Sequence, residues 1–326
     1  MRLPSAVDQL VVESFLSERE ERSLAFDVLD GLTKPFKEIA PKHFYDARGS
    51  ELFEEICALP EYYPTRAERA ILTDRAAEIM ERTGGVELVE LGPGSPDKAR
   101  ILLAAGDVER YVPVEVSEAA LRASAETLVD EFPDLRVHGV VGDFERHLGK
   151  LPAPLAGPRM VAFLGGTIGN FPPGSRRRFL RQIRAALRPG DWLLLGADLV
   201  KDPALIEAAY NDSRGITAEF NRNVLRVMNR ELAADFPVDS FEHVAFFDPR
   251  HEWVEMRLRA TRPCTVWVAG LGIRVDFAAG EEIRTEISAK FTTRRLEADL
   301  RAAGLELREL LTDDAGLFSL TLASPA

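Results

Sequence analysis

The chain has little cysteine, few tyrosines and tryptophans, no basic surplus and no long apolar run. Its 326 residues include two cysteines, Cys57 and Cys264. They lie far apart in mostly apolar sequence, which favours buried reduced thiols over a disulfide or a nucleophile. Lys and Arg number 41 against 53 Asp and Glu, for a formal net charge of −12. An acidic chain without a basic run is poorly suited to nucleic acid or to an anionic membrane surface. No stretch approaches the ~20 apolar residues that a membrane span requires. Asp8, Gln9, Glu13 and Glu18 interrupt the N-terminal segment, so no secretory leader is expected. The five histidines (His43, His138, His147, His243, His251) show no metal-ligand spacing, and His251-Glu252 lacks the second histidine of a zinc-protease helix. No metal is expected. A cytoplasmic protein is expected, monomeric and without nucleic-acid or membrane partners, and its length allows one large domain or two ordinary ones.

What is present centres on residues 86–94, Val-Glu-Leu-Val-Glu-Leu-Gly-Pro-Gly. An apolar strand ends in a carboxylate, Glu90, and runs into a glycine turn, Gly92 and Gly94. Side chains are excluded there, so a ligand can approach the backbone closely. A helix beginning near Pro96-Asp97 would aim unpaired N–H groups at whatever lies over the turn. An ordinary strand-to-helix turn would read the same way, and four further strands give the motif its weight. Tyr111–Glu115 is a second strand tipped by an acid, about 20 residues beyond the turn, where a ribose diol can be held. Val137–Val141 is a third, closed by Gly142-Asp143-Phe144, whose carboxylate and ring suit an adenine. Met160–Leu164 opens into Gly165-Gly166-Thr167-Ile168-Gly169-Asn170, and Trp192–Gly196 is a fifth strand. Five strands at this spacing imply a parallel sheet covered by helices on both faces. Leu305–Leu311 and Leu317–Leu322 form a terminal hairpin after a helix at 293–303. A doubly wound sheet that ends in an antiparallel hairpin is the hallmark of S-adenosylmethionine methyltransferases. The fold class is therefore α/β, a Rossmann-like sheet of order 3-2-1-4-5-7-6. A nicotinamide dehydrogenase is disfavoured by that hairpin.

The remaining segments predict a second α/β domain. Residues 1–66 lie outside the sheet pattern. They carry a helix at Gly49–Leu59 with Ser50 as N-cap, and a capping box, Thr65-Arg66-Ala67-Glu68, that opens the next helix. About ninety residues separate Asp198 from Lys290, far more than a minimal fold uses. Asp202-Pro203 starts a helix that carries Tyr210, and Ile216–Leu232 is another with Ile216, Phe220, Val224 and Met228 on one stripe. Phe241–Phe247 and Trp253–Ala260 make a hairpin, and Thr265–Val268 and Ile273–Phe277 add strands. The expected division is 67–200 plus 291–326 for the cofactor domain and 1–66 plus 201–290 for substrate.

Several polar residues stand out, each with a plain structural alternative. Lys98 follows the glycine turn and can pair with a cofactor carboxylate, or be a solvated lysine. Asn170 can aim an amide lone pair at an amine, or hold a positive φ in a turn. Glu286 and Ser288 share one face of an extended segment and can grip both nitrogens of an imidazole, or belong to a solvent-facing polar face. Tyr62, Tyr63 and Tyr210 can bind a carboxylate without adding charge, or be buried structural phenols.

Together the runs Lys42–Asp46, Leu59–Arg66, Phe163–Asn170, Asp198–Asp202, Phe220–Asn223 and Asp276–Glu281 resemble the bacterial L-histidine Nα-methyltransferases of ergothioneine biosynthesis. The resemblance covers nearly the whole chain. It implies three successive methyl transfers from S-adenosylmethionine to the α-amino group of L-histidine, giving hercynine. It implies that Tyr62, Asn170 and Tyr210 hold the amine and carboxylate and that Glu286 and Ser288 take the imidazole. Met256, Ile287 and Tyr45 then line the substrate pocket. Gly92, Gly94, Lys98, Glu115, Asp143 and Phe144 fall on cofactor positions. Glu115 stands where aspartate is usual, and Pro93 stiffens the glycine turn. Within the same class, another amino acid or a biogenic amine is the alternative acceptor. A non-catalytic cofactor-binding protein is the alternative of a different class. No dedicated base is assigned, because an α-amino group is partly neutral near pH 7–8.

Overall fold

The structure, a computed structural model, describes residues 9–16 and 23–326. The strands run β1 Leu10–Ser14, β2 Lys37–Glu38, β3 Glu87–Leu91, β4 Arg110–Glu115, β5 Arg136–Val141, β6 Arg159–Phe163 and β7 Trp192–Asp198. They continue with β8 Phe241–Asp248, β9 Trp253–Ala260, β10 Cys264–Val268, β11 Ile273–Phe277, β12 Glu282–Ala289, β13 Leu305–Thr312 and β14 Phe318–Pro325. Within the described residues the chain divides into two compact units. One comprises 9–16, 67–199 and 291–326, the other 23–66 and 200–290.

The first unit is built on a sheet of order β1-β5-β4-β3-β6-β7-β14-β13. Strands β3 to β7 pair in parallel, while β14 runs antiparallel to both β7 and β13. Every residue of β3 and of β6 is buried, as expected of parallel strands covered on both faces. One helix-covered side gathers Ile71, Leu72, Ile79, Leu102, Leu128, Met160 and Phe318 into its core. The N-terminal segment, expected to lie outside the sheet, is a correction. Its β1 pairs in parallel with β5, Leu10 opposite Val137, and forms the sheet edge. The run Leu-Val-Val is short and half-exposed, so it carries no buried-strand pattern.

The second unit holds the sheet β2-β12-β9-β8 and the separate hairpin β10-β11. The helix Ile216–Glu231 buries Ile216, Phe220, Val224 and Met228, the stripe its sequence shows. Asp212 receives the Ile216 and Thr217 N–H groups at 3.0 and 2.7 Å and so fixes the helix start. Asp202 caps the helix Pro203–Tyr210 through the Ala204 N–H, with proline at the first turn.

Two cap assignments are corrected. The helix Ala47–Cys57 is capped by Asp46, not Ser50: Asp46 accepts from Gly49 N, and Asn223 and Arg230 hold the same carboxylate at 2.7 and 2.8 Å. Nor do Thr65 and Glu68 form a capping box. The helix begins at Tyr63, and Glu68 turns instead to Lys98 and the Gly165 N–H.

Candidate functional site

The first unit carries the glycine turn. Gly92 and Gly94 have φ of 66° and 58°, values that glycine reaches without strain. A Cβ on Gly92 would lie 3.2 Å from Phe144 Cε1, whereas a Cβ on Gly94 would meet nothing within 4 Å. Phe144 thus closes one side of the turn, supported by Phe163 and Phe179 at centroid distances of 5.4 and 5.6 Å. Gly94 leaves its backbone open to an approaching group. The helix Asp97–Ala105 follows, and the residue at its N-cap, Pro96, has no side-chain acceptor for the first N–H groups. The turn is thus open to the close approach of a ligand.

The acids around it are already oriented. Glu115 ends β4, and its carboxylate receives Val116 N at 2.8 Å and Ser117 N at 3.2 Å, with the Gly94 N–H turned toward it. Burial nonetheless raises its pKa above the ordinary value. Asp143 caps the short helix Phe144–His147 through Glu145 N at 2.8 Å. Lys98 Nζ lies 2.6 Å from Glu68 Oε2. Sequence reasoning missed Glu68, a fully buried acid whose partner Gly165 lies 97 residues away. Gly165 and Gly166 both take positive φ, at 76° and 68°, and lead into the 3-10 turn Thr167–Asn170. Asn170 is half-buried there. Glu90, beneath the turn, accepts from Tyr111 Oη at 2.7 Å, and burial lifts its pKa to about 7.

The second unit carries the tyrosines and the Glu286/Ser288 pair. Strand β12 runs antiparallel to β9, and its register shifts between Arg284 and Glu286. Before the bulge Arg284 pairs with Arg257; after it Glu286 pairs with Met256 and Ser288 with Val254. The extra residue, Thr285, changes which alternate positions point to the buried side. Without it Glu286 would join the charged face where Glu282 holds Arg257 and Arg259. With it Glu286 and Ser288 share the face of the buried Met256 and Val254. The same alternation puts Ile287 opposite Glu255, on the other face of the strand from Glu286 and Ser288.

Glu286 is only partly accessible and is enclosed by the protein. Burial pushes its pKa up to about 7, partly offset by the nearby Lys290 charge. Ser288 is buried and accepts from Tyr210 Oη at 2.8 Å. Lys290, fully buried, donates to both Tyr210 Oη and Ser288 Oγ at 2.9 Å. No sequence signal marked Lys290, because a lysine after a polar strand reads as solvated. Tyr62 stands edge-on to Tyr210 at 6.3 Å, and burial pushes its phenol well above the ordinary range. Tyr45 is exposed, edge-on to Phe53 and Phe220.

Behind Tyr210 lies a polar chain. His243 Nε2 donates to Tyr210 O at 2.9 Å, Asn221 Nδ2 donates to His243 Nδ1 at 2.8 Å, and Thr285 Oγ1 donates to Asn221 Oδ1 at 2.7 Å. Burial lowers the His243 pKa, which keeps the ring neutral for this role. The run Phe220–Asn223 is thereby explained: Phe220 is core, Asn221 anchors the bulge and Asn223 holds Asp46.

Among the described residues, no group of three or more His, Cys, Asp or Glu is placed to hold a metal ion. No helix there is long and apolar enough to cross a membrane.

A parallel sheet ending in an antiparallel hairpin, with an open glycine turn and an acid at the next strand tip, defines a doubly wound α/β protein with a ligand cradle at its strand ends. The chain belongs to the histidine-specific, S-adenosylmethionine-dependent methyltransferase family, whose profile matches residues 24–325. It is 50% identical over 305 residues to the histidine N-alpha-methyltransferase of Mycolicibacterium smegmatis, covering 92% of this chain and 94% of that protein. It is 49% identical over 306 residues to the protein of the same name from Mycobacterium tuberculosis, covering 93% and 95%. Ergothioneine biosynthesis protein 1 of Neurospora crassa is 35% identical over 192 residues, 57% of this chain and 22% of that longer protein.

Proposed function

We propose that this enzyme transfers three methyl groups in succession to the α-amino nitrogen of L-histidine, giving hercynine, the first step of ergothioneine biosynthesis. The observation that carries the choice of acceptor is Glu286. A carboxylate removed from water is costly unless a donor satisfies it, and the Thr285 bulge turns this one onto the Met256 face beside Ser288. An imidazole N–H supplies that donor.

S-adenosylmethionine, when bound, supplies an electrophilic sulfonium methyl. Gly92, Gly94 and Phe144 would cradle it, Glu115 would take the ribose hydroxyls, Asp143 the adenine amino group, and Lys98 the methionyl carboxylate. Tyr62, Tyr210 and Asn170 would hold the amino acid's polar end, with Tyr45 and Met256 along the pocket wall. The protein's contribution is in-line positioning in a water-poor site. The α-ammonium loses its proton to solvent before each transfer, and the final quaternary product has none to lose.

Incubation with histidine and S-adenosylmethionine, followed by mass spectrometry and fragmentation, tests this. The expected product carries three methyls on the α-nitrogen and none on the ring. Ring methylation, or turnover of another amine with none of histidine, overturns it.

A further inference from the structure

Lys290 lies outside every motif that the sequence offers, yet it touches the hydroxyls of Tyr210 and Ser288. An ammonium has only hydrogens to give. Lys290 gives one to Tyr210 Oη and one to Ser288 Oγ, each at 2.9 Å. Tyr210 donates its own proton to Ser288 Oγ at 2.8 Å. A serine oxygen has two lone pairs and one proton. Lysine fills one lone pair and tyrosine the other, so Ser288 keeps a single capacity, the donation of its proton. Glu286, two residues along on the same face, has the opposite capacity and accepts.

We propose that Lys290 is a specificity-determining residue: by filling the lone pairs of Ser288 together with Tyr210, it makes Ser288 an obligate donor, so that Ser288 and Glu286 select a neutral imidazole. The idea rests on the histidine reaction proposed for this enzyme. A neutral imidazole has one N–H for Glu286 and one bare nitrogen for Ser288. A ring with only an N–H leaves the serine proton unpaired, and a ring with only a bare nitrogen leaves the carboxylate unpaired. An imidazolium would set a second N–H against the serine proton.

The test compares kcat/KM for three acceptors: histidine, β-(3-pyrrolyl)alanine (N–H only) and β-(4-thiazolyl)alanine (bare nitrogen only). Wild type is expected to prefer histidine to both by well over about tenfold, since buried polar groups are left unpaired by either analogue. Ser288→Ala should lower histidine and thiazolylalanine by at least ~10-fold, the loss expected for one hydrogen bond, and barely touch pyrrolylalanine. Lys290→Met keeps the volume of the stem and the Tyr210–Ser288 bond but frees one serine lone pair. Ser288 is then no longer held as a donor to the substrate and can turn its proton to Tyr210 Oη, so the penalty on a ring without a bare nitrogen eases and the histidine-to-pyrrolylalanine ratio should fall by about tenfold. An equal loss on all three acceptors in a Lys290→Met protein of native circular dichroism would overturn the proposal, because a merely structural lysine does that. So would a Ser288→Ala variant that penalises pyrrolylalanine most, which also decides the matter if Lys290→Met does not fold. Wild type that ignores histidine would sink the parent reaction. Wild type that accepts histidine and pyrrolylalanine equally sinks only the role of Lys290.

Discussion

The carboxylate of Glu68 receives the backbone N–H of Gly165 at 2.8 Å while its other oxygen holds Lys98 at 2.6 Å. One fully buried acid thereby ties the helix Tyr63–Thr83 to the helix after the glycine turn and to the loop that ends at Asn170. Room for it comes from Gly196 on β7, where an added Cβ would collide with Glu68 Oε1. The ammonium of Lys98 is thereby held in place against Glu68.

Removal of this acid should hurt both stability and binding. Glu68→Ala leaves the Gly165 N–H and the Lys98 charge without it, and breaking a buried ion pair from one side costs roughly 3–5 kcal/mol. Lys98 keeps some solvent contact, so a loss of about 2–4 kcal/mol is expected in urea unfolding. Glu68→Gln can still accept from Gly165 and should recover much of that stability but not the affinity for S-adenosylmethionine. Calorimetry showing unchanged affinity in Glu68→Gln would mean that the aim of Lys98 is irrelevant to the cosubstrate.

Much of this arrangement was legible from local pattern, and the misses share one cause. Strands β3, β5 and β6 announce themselves as apolar runs that lead into glycine and β4 as one tipped by an acid, and Asp202-Pro203 reads locally as a helix start. The failures lie where a distant residue decides. Asp46 and Ser50 are both good caps, and Asn223 and Arg230, far along the chain, choose Asp46. Glu68 fits a capping box locally, but its partners come from two other segments. The alternation of Glu286 and Ser288 reads equally well as a solvent face. Only the bulge at Thr285, anchored by Asn221, settles which side it meets. A register shift made by tertiary contacts leaves no mark on the strand's own sequence.

Gly94 offers a cleaner probe of the cofactor cradle than Gly92, because the protein itself leaves space for a Cβ there. Gly94→Ala must adopt a positive φ of 58°, at a cost of roughly 1–2 kcal/mol. Thermal unfolding should register only that strain. Affinity for S-adenosylmethionine should fall by about tenfold or more, since the methyl occupies the approach to the backbone. Equal affinity in the two proteins would show that no ligand comes close at this turn.

Glu115 supplies the second cofactor contact to examine. Its carboxylate already organises the turn after β4 through Val116 and Ser117. Glu115→Ala should weaken S-adenosylmethionine binding by on the order of 1.5–3 kcal/mol, the range for charged hydrogen bonds. Glu115→Gln preserves the backbone contacts and separates loss of the turn from loss of the ribose. If calorimetry gives wild-type affinity for both folded variants, Glu115 does not contact the cosubstrate.

Glu286 links specificity to pH. In the folded chain it holds its proton up to about pH 7, against an ordinary value of 4.5. Between those values the folded state binds more protons than the unfolded one, so stability falls as pH rises through the window. The stabilising contribution is complete below about 4.5 and gone above about 7. Glu286→Gln removes this dependence. Relative to wild type it should gain on the order of 1–3 kcal/mol at about pH 8 and almost nothing at about pH 4.5. The same substitution replaces an ionised acceptor of the imidazole N–H by a neutral one, so kcat/KM for histidine should drop by about tenfold or more. An apolar amino acid such as phenylalanine should lose far less, because it never satisfied the carboxylate. Histidine binding to wild type near about pH 6.5 should also release a proton, detectable as a buffer-dependent heat, since an N–H donor favours the ionised acid. A stability difference that is the same at both pH values, together with equal losses on histidine and phenylalanine, would place Glu286 outside the ring-binding face. The site would then be storing no strain for its substrate to relieve.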